Sequence, residues 1–346
     1  MNSKIIIFKN DAVGDLTQSL AAIYNIIDNN KDKSILIYLS ERSKSFSFLI
    51  KKSNNVVFRN LKYNLTLFEK IKIFFYILLN DISKIYILTP KSFYFFLPLI
   101  FKKIKFYGLC INGPNKYKRP NEFLRKKLFK YVVNDRAAIF KRDSIVNIQN
   151  DLVNDTKKKI NEFKFNINVK KSYILNKYLP ANYAYFHIKK STIDKLNWNI
   201  NDLHNLFNKL LKYYSYVVFS KDIEKDLISE SFKEKFNVVD FSSGKFTNNN
   251  SNIFFFDNIK GEDLYYTIKN SSKTIAFHGM MTNLASLEKK PVLDLWYCNM
   301  INWDTYRSCR NAFYEFKPSY DEYNFIMPSK NFLKTVKKIE YSLNRK

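Results

Sequence analysis

Two aspartates, Asp11 and Asp15, stand in the segment Lys9-Asn10-Asp11-Ala12-Val13-Gly14-Asp15, directly after the apolar run KIIIF. A carboxylate held where a strand ends can take the proton of a hydroxyl, and a positioned base of this kind contributes roughly 100- to 10,000-fold to a rate. Asp15 also falls where a helix is expected to begin, so it can equally serve as an N-terminal cap worth about 1 kcal/mol. A single glycine, Gly14, opens that helix. The GxGxxG fingerprint of dinucleotide binding is absent, and hydride transfer loses its main support.

Three further constellations carry chemistry. In His187-Ile188-Lys189-Lys190-Ser191-Thr192-Ile193-Asp194-Lys195-Leu196-Asn197-Trp198, a lysine with two hydroxyls near a strand end suits a phosphate: Lys195 as the point charge, Ser191 and Thr192 as orienting donors. An ordinary solvated basic loop is the plain alternative. In Phe277-His278-Gly279-Met280-Met281-Thr282-Asn283, Gly279 allows close backbone approach and His278 is either a phosphate donor or a histidine packed at a strand end. The basic stretch Lys116, Lys118, Arg119, Arg125, Lys126, Lys127 and Lys130 is opposed only by Glu122. Interleaved with Phe123, Phe129 and Tyr131, it suits phosphorylated lipid headgroups, a nucleic-acid backbone, or simply a solvated helix face. No HExxH, Cys/His cluster or carboxylate-rich loop is seen, so neither a metal nor a bound cofactor is expected.

Positioning these residues takes an alternation of strands and helices. Strands are expected at Lys4–Phe8, Ser34–Leu39, Asn55–Phe58, Lys84–Thr89 and Lys105–Gly108, with helices at Leu16–Ile27, Ile71–Leu79 and Ser92–Lys103 between them. The pattern restarts with strands at Asn182–Ile188, Tyr216–Ser220, Asn237–Phe241, Lys273–Phe277 and Pro291–Trp296. Helices are expected at Asn201–Tyr213, Glu224–Phe236, Gly261–Lys269, Thr282–Glu288 and Ser329–Leu343. Such alternation means βαβ units around parallel sheets. The chain therefore reads as α/β, with two Rossmann-like doubly wound domains facing a cleft. The first spans 1–150, a connection 151–180, the second 181–328 and a final helix 329–346, expected to cross back onto the first.

Composition agrees. The chain has 346 residues, 46% apolar and 17% aromatic, enough for two packed cores. Three cysteines, Cys110, Cys298 and Cys309, stand far apart, as in a reducing compartment. The opening MNSKIIIFKNDAVGD lacks a signal-peptide core, and the most apolar run, Ser92–Phe101, has ten residues where a membrane span needs roughly 20. A cytoplasmic protein, peripheral on the inner membrane at most, is expected. The net charge of +27 attracts anionic partners, or else reflects the lysine usage of an AT-rich genome.

The first strand with its loop ending in Gly14-Asp15 resembles the heptosyltransferase family, glycosyltransferase family 9. That resemblance implies that Asp15 is the general base deprotonating the acceptor hydroxyl. Where the family often has a proline six residues later, this chain has Ala21. KIYILTPKSFYFFLPLIFKKIKFYG resembles the family's strand, helix and strand ending in glycine, favouring a buried helix for Ser92–Phe101. Lys195 and Trp198 match its Lys-x-Trp pair with one extra residue between them. Phe277 to Val292 resembles its strand, Asp-Thr-Gly-x-x-His-Leu-Ala segment and Lys-Pro-Val. There, helix N–H groups receive the donor's diphosphate. Phe277 and His278 replace the family's aspartate and threonine, and Thr282-Asn283 stands in place of its histidine.

The resemblance implies a two-domain, B-type glycosyltransferase, inverting and metal-independent. It would move a heptose or related sugar from a nucleotide-diphosphate donor to a lipopolysaccharide core or other anionic cell-surface glycan. Donor contacts would fall to Ser191, Thr192, Lys195, Ser220, His278, Gly279, Met281, Thr282 and Asn283. Acceptor contacts would fall to Asp11, Gly14, Lys116, Lys118, Arg119 and Arg125. A basic nucleic-acid-binding protein, or a non-catalytic binder of glycan or lipid, are the competing readings.

Overall fold

The computed structural model describes residues 3–50, 53–112, 120, 122–135, 144–153, 165, 167–222, 229–297 and 322–344. These residues divide into two compact units, one running to Ile167 and the other beginning at Asn168. Lys116, Lys118, Arg119, Cys298 and Cys309 lie outside the described residues.

The first unit contains β1 (Lys4–Lys9), α1 (Val13–Asp28), β2 (Ile35–Ser40), β3 (Val56–Leu61), α2 (Leu67–Leu79) and β4 (Ile82–Ile87). It continues with α3 (Ser92–Ile100), β5 (Lys105–Asn112), α4 (Glu122–Arg125), β6 (Lys130–Asp135) and α5 (Ile145–Val153). Its strands are parallel in the order β3-β2-β1-β4-β5-β6. Strand β1 reads Ile-Ile-Ile-Phe without alternation because both of its faces are covered: Ile5 to Phe8 are fully buried. Helix α1 is buried along almost its whole length. Its polar positions are satisfied by α5, where Ser19 donates to the Gln149 side chain and Asn25 to that of Asn150. Helix α1 is thus held between the sheet and a second helix.

The apolar run Ser92–Phe101 forms α3, with Tyr94, Phe95, Leu97 and Pro98 buried. Among the described residues no helix is long and apolar enough to cross a membrane. Strand β6 falls in the basic stretch, where no strand was expected. It pairs with β5, Cys110 lying opposite Val133. Its short Tyr-Val-Val centre is masked in sequence by the lysines and phenylalanines before it.

The second unit contains α6 (Tyr173–Tyr178), β7 (Tyr183–Ile188), α7 (Lys190–Leu196), α8 (Ile200–Leu210), β8 (Tyr216–Lys221), α9 (Glu230–Lys233) and β9 (Asn237–Asp240). Then follow β10 (Phe246–Thr247), β11 (Ile253–Asp257), α10 (Gly261–Asn270), β12 (Lys273–Phe277), α11 (Met280–Leu287), β13 (Val292–Leu295), β14 (Tyr323–Ile326) and α12 (Phe332–Asn344). The strand order is β10-β9-β11-β8-β7-β12-β13-β14, parallel except for the β9/β10 hairpin. Phe207, Phe219 and Phe255 stack through this core, with ring centroids 4.7 and 4.9 Å apart. Helix α12 buries Val336 and Ile339 in the same core.

Strand order reverses beside β1 in the first sheet, between β1 and β4. In the second it reverses between β7 and β12. Open α/β sheets bind ligands outside the carboxyl ends of the strands at such switch points, because the connections there diverge and leave a crevice. Each sheet therefore nominates one place to look.

Candidate functional site

In the first unit the switch point lies where β1 and β4 end. Strand β1 delivers Lys9, whose side chain is only 2% exposed, so its charge needs a partner close by. Asp11 supplies it: Lys9 Nζ lies 2.8 Å from Asp11 Oδ2, and Thr89 Oγ1 donates to the same oxygen at 2.9 Å. Ser40 Oγ donates to the Asp11 carbonyl at 2.5 Å. Asp11 is thereby tied to β1, β2 and the end of β4, and its carboxylate neutralises a buried lysine. An acceptor contact is not needed to explain it.

Asp15 is placed differently. Ala12, in extended backbone, is the N-cap of α1 and makes no side-chain capping bond. Asp15 is the third residue of the helix, half-buried, with its carbonyl accepting from Ser19 Oγ at 3.1 Å. An acidic residue in the first turn of a helix faces the positive end of the helix dipole. Because α1 is clamped along its length, Asp15 sits on a rigid support, as a positioned base requires. Gly14 precedes it, with its carbonyl accepting from Thr17 Oγ1 at 2.6 Å. Arg125 closes α4 and donates from Nε to the Pro120 carbonyl at 2.9 Å, which ties it to its own loop.

In the second unit the switch point gathers the ends of β7 and β12. One residue, Lys189, links β7 to α7, so the expected hydroxyl-rich loop is in fact the start of a helix. Ser191 is exposed in its first turn, Thr192 is buried, and Lys195 is exposed in its last turn. At a 1.5 Å rise per residue, Lys195 lies roughly 7 Å further along the axis than Lys190. Lys189 is the lysine that reaches the next strand end, its Nζ donating to the His278 carbonyl at 3.3 Å. Trp198 packs on Phe277 and Phe332 and donates from Nε1 to the Ser329 carbonyl at 3.0 Å. Its role is to fix the chain after α7 onto the core.

Gly279 has φ 152° and ψ −140°, a region essentially restricted to glycine. A Cβ there would stand 3.9 Å from Lys189 Nζ. This backbone turns the chain from β12 directly into α11, and helix geometry leaves the N–H groups of Met280, Met281 and Thr282 without intrahelical acceptors. Thr282, fully buried, locks the turn: its Oγ1 donates to the Gly279 carbonyl at 3.0 Å and lies 3.2 Å from the Gly279 nitrogen. Met281 is buried against Tyr185, with Sδ 3.9 Å from the hydroxyl. Asn283 is buried, with its N–H donating to the Gly279 carbonyl at 3.2 Å. Of the expected donor contacts, Gly279 and its flanking residues come together with Lys189, while Lys195 stands apart.

His278 is held by residues that the motif reading missed. Its Nδ1 lies 2.7 Å from Oδ2 of Asp294, a fully buried aspartate on β13 that also accepts from the Tyr323 hydroxyl at 2.6 Å. Burial, together with Asp294, pushes the Tyr323 hydroxyl well above the ordinary tyrosine value, so it stays a donor. The bond to Asp294 places the Nδ1 proton on that side and turns Nε2 to the opposite edge of the ring. Trp296 tilts over the imidazole, centroids 3.5 Å apart. The available signal was Asp294 itself, a carboxylate inside the apolar run PVLDLW.

A second chain of hydrogen bonds starts buried beneath Met281 and ends at the exposed Asp222. The Tyr185 hydroxyl lies 2.5 Å from Ser220 Oγ, Ser220 Oγ 2.9 Å from His187 Nδ1, and His187 Nε2 3.1 Å from Asp222 Oδ1. Asp222 only accepts when ionised, so Nε2–H donates to it. A neutral His187 then accepts from Ser220, and Ser220 accepts from Tyr185. Ser220 is therefore committed to this chain rather than open to a donor. Burial would raise the Asp222 carboxyl, but the bonds from His187 and the charge of Lys189 hold it below its ordinary 3.8. A carboxyl lowered on folding contributes stability at neutral pH that is lost as pH falls through its folded value. Asp222→Asn is expected to melt below the native chain at pH 7, with the gap closing below pH 3.8. Melting curves across that range check it.

No family model and no curated protein matches the sequence. Solved structures do match. The E. coli ADP-heptose LPS heptosyltransferase II is similar over 98% of this chain and 98% of its own, with TM-score 0.63 and 14% identity. A glycosyl transferase family 9 protein from Veillonella parvula covers 98% of this chain and 89% of its own, at 0.62 and 11%. The UDP-GlcNAc 2-epimerase from Methanocaldococcus jannaschii covers 100% of this chain and 94% of its own, at 0.56 and 14%. These likenesses establish the fold: two Rossmann-like α/β domains of the kind heptosyltransferases have.

Proposed function

We propose that this protein is a glycosyltransferase that moves a sugar from a nucleoside-diphosphate donor to a hydroxyl of an anionic cell-surface glycan or glycolipid. The observation that carries the proposal is the Gly279 turn, where a glycine-only backbone opens the N-terminus of α11 beside the Lys189 ammonium at the second sheet's switch point. Two of the three similar structures, the heptosyltransferase and the epimerase, are named for nucleotide-sugars, which supports that ligand class for the shared fold.

In the proposed reaction Asp15 takes the proton of the acceptor hydroxyl. The freed oxygen attacks the anomeric carbon as the bond to the diphosphate breaks, inverting that carbon. The departing diphosphate gathers negative charge. The N–H groups at the start of α11 and the Lys189 ammonium supply donors and charge for it, joined by His278 Nε2–H when the ring is the imidazolium, with Nδ1–H held by Asp294. No metal is required in this scheme. The acceptor is assigned to the first unit, whose basic segment around Arg125 suits phosphorylated sugars.

A panel of ADP-, UDP-, GDP- and dTDP-sugars, offered to the full chain, tests the proposal through melting temperature and release of nucleoside diphosphate. A cognate donor at 100 times its Kd is expected to stabilise the fold by about 2.7 kcal/mol. It should release nucleoside diphosphate when a glycan acceptor is added. Epimerised sugar without an acceptor would reassign the reaction. Binding to arbitrary DNA or RNA with steep salt dependence, and to no nucleotide-sugar, would replace the enzyme by a nucleic-acid-binding protein.

A further inference from the structure

Helix α2 carries apolar residues on two faces. Ile73 and Ile77 are buried in the core of the first unit. On the other side Leu67, Phe68, Ile71, Phe75, Leu78 and Leu79 are all exposed, from 45% at Ile71 to 78% at Leu79. At about 100° per residue these six fall within an arc of roughly 120°. A helix apolar all round is normally covered on every side. Isolated exposed leucines need no explanation, but a contiguous stripe marks a contact surface. The stripe continues onto α3, where Phe96 and Ile100 are 52% and 58% exposed. Phe74 of α2 meets Phe101 at the end of α3, ring centroids 5.3 Å apart, and both helices cover the same core.

Charge around this face selects its partner. From Lys62 to Asn112 the sequence has eight lysines against two acids, Glu69 and Asp81. Glu69 is committed to capping α2, accepting from the Lys62 N–H at 2.7 Å and the Thr66 N–H at 2.8 Å. Lys72 borders the stripe, its ammonium 4.2 Å from the centre of the Phe68 ring, and Lys102 and Lys103 are exposed just beyond α3. Apolar side chains flanked by lysines, with long stems along apolar surface and ammonium groups outermost, match the boundary between acyl chains and anionic headgroups. A second copy fits poorly, because each chain carries a net +27 and the lysine borders would face one another.

We propose that the outer faces of α2 and α3 form a membrane-docking surface, on which the first unit lies in the headgroup layer of an anionic phospholipid bilayer. Helix α3 supplies only Phe96 and Ile100 to it; most of the contact belongs to α2. Docking is independent of the glycosyl-transfer reading, since it is argued from the exposed apolar side chains of α2 and α3 and their lysine borders alone.

Flotation of the full chain with vesicles tests this, using phosphatidylcholine alone and phosphatidylcholine with one quarter phosphatidylglycerol. The native chain is expected to float with the anionic vesicles and to keep part of its binding at high salt, because buried apolar contacts are not screened. A Phe68→Ser, Phe75→Ser, Leu78→Ser variant is expected to bind about 100-fold more weakly or worse, with an unchanged melting temperature because all three side chains are exposed. Tyr173→Ser with Leu333→Ser, exposed apolar positions of the second unit, is expected to bind like the native chain. Three results would overturn the proposal: equal binding by the triple variant, complete release of the native chain by salt, or a native dimer that the triple variant dissociates.

Discussion

Asp15→Asn is expected to lower turnover roughly 100- to 10,000-fold while leaving the affinity for the nucleotide-sugar unchanged. The substitution keeps the shape of the side chain and removes its ability to accept a proton. Position is preserved, because α1 is held by the sheet on one side and by the Ser19–Gln149 and Asn25–Asn150 contacts with α5 on the other. A loss confined to kcat separates a base from a residue that merely caps the helix. Ala12 already occupies the capping position, so a stability defect is not the expected outcome. Steady-state kinetics with the cognate donor, alongside calorimetric binding of that donor, reads both quantities. Native-level turnover by the variant would remove Asp15 from the mechanism.

Lys189→Ala is expected to weaken binding of the nucleoside diphosphate roughly 10- to 100-fold, whereas Lys195→Ala is expected to leave it within about 2-fold. A charge-assisted hydrogen bond contributes about 1.5–3 kcal/mol, and every 1.4 kcal/mol is tenfold in affinity. Lys189 is half-buried with its ammonium at the Gly279 turn, where a diphosphate on α11 would lie. Lys195 is in water at the far end of α7, where its charge is screened. Calorimetric titration of the two variants with the product nucleotide decides between them. The opposite ranking would move the phosphate site to the end of α7.

The contrast between these lysines shows what sequence patterning can and cannot carry. Runs such as KIIIF, SILIYL and YVVFS announce buried parallel strands because burial on both faces removes alternation, and the strand–helix order follows from them. The segments after β1 and β12 were legible for the same reason: a strand must end there, and Gly14 or Gly279 opens the next helix. The residues from Lys189 to Leu196 read as a polar loop because Lys-Lys-Ser-Thr hides the periodicity. Only Thr192, Ile193 and Leu196 turn inward. Strand β11, Ile-Phe-Phe-Phe-Asp, was hidden among asparagines, and β14, Tyr-Asn-Phe-Ile, is too short to show a period. The pairs His278–Asp294 and His187–Ser220 are products of strand register. Residue 187 lies directly opposite residue 220, and Ala276 opposite Asp294, relations that no local window contains.

The first sheet has its earliest strand at its centre. Strand β1 pairs with β2 on one side but must wait for β4, more than 70 residues later, on the other. Every strand pairing across this sheet is non-local, so the first unit is expected to fold more slowly than a helical bundle of its size. Until Ile82–Ile87 arrives, a new chain leaving the ribosome carries an open, strongly apolar strand edge able to pair with a neighbouring copy. Yield on overexpression should therefore be limited by aggregation of nascent chains, and slower synthesis at low temperature should recover soluble protein.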